Sequence, residues 1–312
     1  GAGRMLWVVA AGVAFWLAAV QVLPSMQFTR FSSRGINDGP RSIYELLSTR
    51  QAADQLPGPR NWSDGLLHRR VDRAMHQGHV YHFSVGPWRL AEYVWPNVMG
   101  RQFPTHRRWA DAIPSEGRLW VPSLYMGIVP LLLALAAMRF HRADARTVWL
   151  SWSAVLCVVG SLGWFGIGWI VREIVAAGGG DYNSLPIGSP VGGLYWLMVV
   201  LLPGYVSFRY PAKLLTLAAI ALSMLAAIGW DRVFEGASQR FRRNVATLGW
   251  VSVAGATAAA GMWWFAPAVF RHVAPNIMFG PLDCYGAAVD IFFAFTQTAV
   301  VTFLFYACFR RA

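Results

Sequence analysis

Cysteine is almost missing from this chain: three residues in 312, at positions 157, 284 and 308, with no CxxC pair and two of them inside apolar runs. That excludes a disulfide framework and a thiolate zinc site, and it leaves the three as packing residues. Lysine is scarcer still. Of the 27 basic residues all but Lys213 are arginine, against 15 acids, and residues of both signs make up only 13% of the chain. A net charge of +12 can serve nucleic acid, but no nucleic-acid-binding motif accompanies it. Many of the arginines flank apolar runs, where anionic headgroups and the insertion machinery account for them. A phosphate-binding P-loop is lacking too: Gly178, Gly179 and Gly180 precede Asp181 with no strand before them and no Lys-Ser/Thr after, so they read as a flexible connection.

What the chain has in abundance is hydrocarbon. It is 56% apolar and 14% aromatic, with a mean hydropathy of +0.40, and the apolar residues cluster in long runs. This is the composition of a polytopic membrane protein, all-α because uninterrupted apolar runs of about 20 residues are the length of a membrane-crossing helix. Apolar runs at 5–23, 120–138, 147–166, 212–230, 245–265 and 287–308 predict six transmembrane helices. The run at 5–23 follows Arg4 and has no small-residue cleavage site, so it reads as a retained span rather than a signal peptide. Because the chain starts at Gly1, further helices are expected upstream. Residues 24–118 form a long polar region with thirteen arginines, expected as an extracytoplasmic loop region, and 119–312 form the helical bundle. The cluster Pro87-Trp88, Tyr93 and Trp95-Pro96 predicts that the loop region folds back on the membrane, since a free loop would leave that aromatic area wet.

The stretch GGLYWLMVVLLPGYVSFRYPAKLLTLAAIALSMLAAIGW, residues 192–230, organises the rest. Its first apolar part, 194–202, is too short to cross and is stopped by Pro203 and Gly204, so it is expected as a re-entrant or interfacial segment. The basic residues agree. Arg4, Arg139, Arg142, Arg146, Arg232, Arg240, Arg242, Arg243, Arg310 and Arg311 lie in one set of short segments, while Arg172, Arg209, Lys213 and Arg271 lie in the other. The ten-residue set faces the cytoplasm, with both chain ends, provided 194–202 does not cross. Trp120, Trp169, Trp230, Trp263 and Trp264 near span ends fit an interfacial belt.

Several residues are candidates for chemistry. Arg209 and Lys213 straddle Pro211 at the expected start of a helix, where unsatisfied N–H groups and the positive dipole end favour an anion such as a lipid-linked phosphate. Glu92 and Asp111 are outer-face acids, read either as general bases or as solvated carboxylates paired with neighbouring arginines. Asp290 lies within the last apolar run, about a turn from its outer end, and is expected to snorkel to water. His76, His79 and His82 run as HxxHxxH, with His68 and His106 nearby, but this spacing matches no metal signature and no metal site is assigned. Asn61-Trp62-Ser63 satisfies the glycosylation sequon by pattern alone.

Three stretches, FSVGPWRLAEYVWPNVMG (83–100), VPSLYMGIVPLLLALAAM (121–138) and LLPGYVSFRYPAKLL through LAAIGWDRV (201–233), resemble in the same order the bacterial YfhO-like membrane proteins. AAVQVLPSMQFTRFSSR, closing the first apolar run, is similar to that family's helix before its outer loop. The resemblance implies a GT-C-type glycosyltransferase of the bacterial cell membrane, taking sugar from a polyprenyl-phosphate carrier on the outer face. It also implies that the key acids sit in a first outer loop lying before this chain. No catalytic base is therefore carried over to Glu92 or Asp111. A carrier-phosphate role comes to the FRYPAK segment, hence to Arg209 and Lys213, and a divalent metal in the full-length enzyme is compatible with the type. Implied partners are membrane lipids and the lipid-linked sugar. The alternatives are a non-catalytic cell-envelope module and a lipid-linked-sugar transporter, the latter disfavoured because the spans carry almost no polar residues beyond Asp290 and Gln297.

Overall fold

The computed structural model describes residues 12, 13, 16, 80–113, 121–141, 144–180, 188–202, 205, 208–276 and 279–311. The sequon, His76, His79 and nearly all of the first apolar run lie outside the described residues. Two compact units divide the chain: Gly1–Val80 with Leu185–Gly188 and Leu197–Arg209, and Tyr81–Ser184 with Ser189–Trp196 and Tyr210–Ala312. Within the described part of the first, Tyr205 and Phe208 stack with ring centroids 5.4 Å apart.

The α-helices whose bounds fall among the described residues are, in chain order, α1 (Ile128–Ala137), α2 (Ala145–Ser161), α3 (Ile167–Ala177), α4 (Leu194–Leu201), α5 (Leu214–Gly236), α6 (Gln239–Trp263), α7 (Ala266–Val269) and α8 (Cys284–Arg311). Regular structure among the described residues is helical, with one isolated antiparallel bridge between Asn276 and Gly280. Among the described residues three helices are long and apolar enough to cross a membrane, Pro211–Gly236, Gln239–Trp263 and Cys284–Cys308, and α1 and α2 are shorter apolar helices. The chain is an all-α membrane protein.

Helix ends follow local chemistry and move the expected boundaries. The run expected at 120–138 becomes helical only at Ile128, because Pro122 and the positive-φ Gly127 (φ 102°) keep its lead-in irregular. Asp144 starts α2 by accepting from the Thr147 N–H at 2.9 Å, and its carboxyl is held below the usual range first by its hydrogen bonds with Thr147. The run expected to reach 166 stops at Ser161, where the chain turns through Gly163 (φ 46°). Ser238 caps α6 in the same way, accepting from the Phe241 N–H at 3.2 Å.

In the second unit α5 is central and packs against α1 and α2, while α8 packs along α6 and touches α1. Small residues let these helices approach closely. A Cβ at Gly229 of α5 would fall on the Leu133 carbonyl of α1. Gly249 and Gly255 of α6 face the Phe303 and Phe295 rings of α8, a pairing that runs the two helices antiparallel. One turn past Gly229, Arg232 donates to the Ala137 carbonyl at 2.7 Å and so caps the C-terminal end of α1. The core between them is built from residues such as Ile128, Leu132, Leu222, Leu225, Val245 and Phe305.

At the opposite end of the bundle Gly163, just past α2, lies against the Pro211 ring at the start of α5. The excursion through residues 164–210 therefore leaves and rejoins the bundle at one end. Within it α4 has eight residues, about 12 Å of helix against a hydrocarbon core of about 30 Å.

Candidate functional site

Residues 81–113 enter the bundle at the end where α2 finishes and α5 begins. The Val85 N–H donates to the Ser161 carbonyl at 2.9 Å, and Ser84 Oγ accepts from the Trp164 N–H at 2.9 Å. A 3-10 helix then runs over Pro87–Tyr93, opened by a proline whose fixed φ suits its first position. From there the chain dips inward. The Trp95 indole N–H donates to Ser252 Oγ of α6 at 3.0 Å, and the Val94 carbonyl accepts from Thr298 Oγ1 of α8 at 2.9 Å. Thr298 stands about 21 Å along α8 from its first residue, so the tip of the wedge reaches the middle of the apolar helices. Irregular backbone at that depth persists only where protein supplies its hydrogen bonds; the buried Thr298 does so for the Val94 carbonyl, and the buried Ser252 satisfies the Trp95 indole. The chain turns back through Asn97 (φ 55°) and Gly100 (φ 80°); a Cβ on Gly100 would strike the Arg107 carbonyl, so only glycine fits this return.

The expected fold-back of this aromatic stretch is therefore deeper than a headgroup contact. Trp95 packs on Phe295 with centroids 5.0 Å apart, and Trp88, Val98 and Met99 pack with Ala259, Phe270 and Ala287.

Charges enter with the wedge, and they are paired. Glu92 is 1% exposed and accepts from Arg89 Nη2 at 2.9 Å and from the Leu124 N–H at 3.3 Å, while Arg108 Nη1 stands 3.9 Å away. Arg89 also donates to the Val121 carbonyl at 2.8 Å, which ties the wedge to the lead-in of α1. Asp111 lies 3.2 Å from Arg108 Nε, accepts from Asn276 Nδ2 at 3.3 Å and stands 3.8 Å from Nε2 of the buried His106. Nearer the start of α8, Asp290 accepts from Arg101 Nε at 3.0 Å and Arg107 Nη1 at 3.1 Å, and Arg107 Nε also reaches Asp283 at 3.0 Å.

Two expectations change. Glu92 is paired with an arginine as expected but is fully buried rather than solvated, and Asp290 does not snorkel to water: it is buried, and the arginines come to it. The physical reason is the same in both places. A carboxylate inside an apolar bundle stays charged only with matched cations and hydrogen bonds, and the wedge delivers them.

As chemistry, this network holds rather than reacts. Both Glu92 oxygens are engaged by guanidinium and backbone donors, and Asp111 is shared between Arg108 and Asn276. Among the described residues no three His, Cys, Asp or Glu side chains are placed to hold a metal ion.

Lys213 is exposed at the head of α5. Pro211–Lys213 forms a 3-10 turn leading into the helix, as the sequence predicts for Pro211, and the Lys213 ammonium sits 4.9 Å over the Tyr210 ring. Arg209 belongs to the first compact unit. Of the proposed sites, then, Glu92 and Asp111 are brought together through Arg108, and Lys213 is placed at a helix start. The arginines at 89, 101, 107 and 108, and His106, carried no functional assignment from sequence. The available signal was spacing: Arg89 with Glu92 and Arg108 with Asp111 are three residues apart, and a 3-10 turn eclipses i and i+3.

Searches of protein-family models, curated proteins and solved structures find no match to the chain.

Proposed function

We propose that the chain is the membrane-embedded portion of a YfhO-like, GT-C-type glycosyltransferase that draws its sugar from a polyprenyl-phosphate carrier at the outer face of the bacterial cell membrane. The observation that carries the reading is the position of Lys213: the chain's single lysine stands at the N-terminal start of the central helix α5, where helix N–H groups and a cation together favour a phosphate. Arg209, four residues earlier in sequence, is its proposed partner, with a fork suited to phosphate oxygens. The ordered resemblance of three sequence stretches supports the family.

Six spans with both ends cytoplasmic complete the proposal. Its support is the ten-to-four distribution of basic residues and the return of the 164–210 excursion to the end of the bundle it left. No catalytic base is assigned, because the wedge acids are engaged in ion pairs. That same neutralisation favours a second reading, a non-catalytic envelope module.

The test uses the natural full-length protein in liposomes, with polyprenyl phosphate as the binding probe and a labelled polyprenyl-phosphate sugar as the donor. Arg209→Ala and Lys213→Ala are each expected to weaken carrier binding by about 10- to 100-fold, corresponding to about 1.5–3 kcal/mol for a hydrogen bond to a charged group. Equal binding by wild type and both variants overturns the phosphate site. Binding without any sugar transfer leaves the non-catalytic module.

A further inference from the structure

Helix α3 has its polarity reversed for a protein facing water. Its sequence IGWIVREIVAA places Ile167, Ile170, Val171 and Ile174 along one face, at i, i+3, i+4 and i+7. On a water-facing surface helix that stripe would be buried. Here Ile167, Ile170 and Ile174 are 61%, 49% and 66% exposed, while the other side of the helix is turned to the protein. Gly168 is buried, Trp169 packs edge-on to Phe165 at 5.1 Å, and Arg172 reaches inward to Ser189 Oγ at 3.3 Å.

The helix is fixed in this attitude. The Gly166 and Trp169 N–H groups donate to the Ser189 carbonyl at 3.2 and 2.9 Å, and the Gly168 N–H donates to the Val191 carbonyl at 2.9 Å. Backbone from 189–191 thus satisfies the donors that a helix start leaves open. Gly166 lies so close to the Pro190 carbonyl that a Cβ there would strike it.

What covers the stripe is indicated by what it continues. Along α2 the exposed residues Trp149, Trp152, Leu156 and Val159 form the outward face of an apolar helix, which in a membrane protein meets lipid. Six residues beyond Ser161, at the end where the chain leaves the bundle, α3 begins, and exposed Trp164 stands in the connection. Tryptophan suits the headgroup layer. At eleven residues α3 is about 16 Å long, too short to cross.

We infer that α3 is an in-plane membrane anchor: it lies flat at the headgroup–acyl boundary of the leaflet at that end, with Ile167, Ile170, Val171 and Ile174 in the acyl region. The partner is the lipid surface itself, bound through buried apolar area. The inference is independent of the proposed sugar-transfer function. It requires only that the bundle spans a bilayer.

The test is spin-label accessibility in liposomes, on the full chain with its three cysteines replaced. Single labels are placed at Ile170, Ile174 and Glu173, with Leu156 on α2 as the lipid-facing reference. Labels at 170 and 174 are expected to collide with dissolved oxygen more than with a water-soluble nickel chelate, as at 156, and the label at 173 to show the lower oxygen preference. A nickel-dominated signal at 170 and 174 places the stripe in water and overturns the inference. Low accessibility to both reagents at those positions means that protein covers the stripe, and overturns it equally. Insertion of each labelled variant is checked by its flotation with the liposomes, and a variant that fails to insert is replaced by single labels at Ile167 and Val171, to which the same criteria apply.

Discussion

Replacing Glu92 by glutamine removes one negative charge from a place with no water to compensate it. Arg89, Arg108 and Glu92 are 2%, 1% and 1% exposed, at separations of 2.9 and 3.9 Å. With an effective interior dielectric of about 20, those two attractions are about 6 and about 4 kcal/mol, much of which offsets the desolvation of three ions. Glutamine keeps the volume and one acceptor but leaves a buried guanidinium uncompensated, and the net loss expected for breaking such a pair is about 3–5 kcal/mol. Against a total stability of about 5–15 kcal/mol, that is a large fall. The double variant Arg89→Met with Glu92→Leu removes cation and anion together and leaves Arg108 to Asp111, so it is expected to be more stable than Glu92→Gln alone. Thermal unfolding in nanodiscs, followed by tryptophan fluorescence, ranks wild type, single and double variants on one scale. A Glu92→Gln protein that melts with the wild type, or a double variant that melts below the single one, refutes the account of Glu92 as a buried, cation-matched carboxylate. A catalytic base would behave in the opposite way, losing turnover while keeping its melting temperature.

Gly229→Val drives a side chain into the Leu133 carbonyl and should cost at least the ~1–3 kcal/mol of ordinary overpacking, whereas Gly249→Ala should cost less because the Phe303 ring can shift; the same melts compare them. Asp290→Asn removes the carboxylate from Arg101 and Arg107, but Arg101 is 42% exposed and can rehydrate and Arg107 keeps Asp283, so the expected loss is about 1.5–3 kcal/mol, smaller than for Glu92→Gln. Hydrogen exchange should then rise in residues 97–113 and stay unchanged in α5; equal exchange in both places would contradict the wedge as a separately latched element.

Sequence by itself settled the class of molecule, because membrane insertion depends on one-dimensional quantities. Run length, mean hydropathy and the scarcity of interior charge are read directly from the chain, and the helices at Pro211–Gly236, Gln239–Trp263 and Cys284–Cys308 sit where the runs lie. The helix start at Pro211 was legible for a similar reason, since proline's fixed φ and missing donor act locally. Single-residue conformations that periodicity does not encode set the true ends of α1 and α2: a left-handed turn at Gly163 and a positive φ at Gly127.

Only tertiary structure decided what the acids are for. Glu92, Asp111 and Asp290 carry the same letters whether they are solvated, catalytic or buried, and the partners that fix their state come from far along the chain. Asp290 meets Arg101 and Arg107 across more than 180 residues of sequence, and Ser252 and Thr298 meet the wedge tip across 157 and 204. The reversed face of α3 belongs with these. Its period is visible in the sequence, but whether an apolar stripe points inward or outward depends on the 189–193 backbone that packs against its other side. Hydrophobicity is a property of residues and can be read one at a time; charge pairing and facing are properties of pairs, and only the folded chain brings those pairs together.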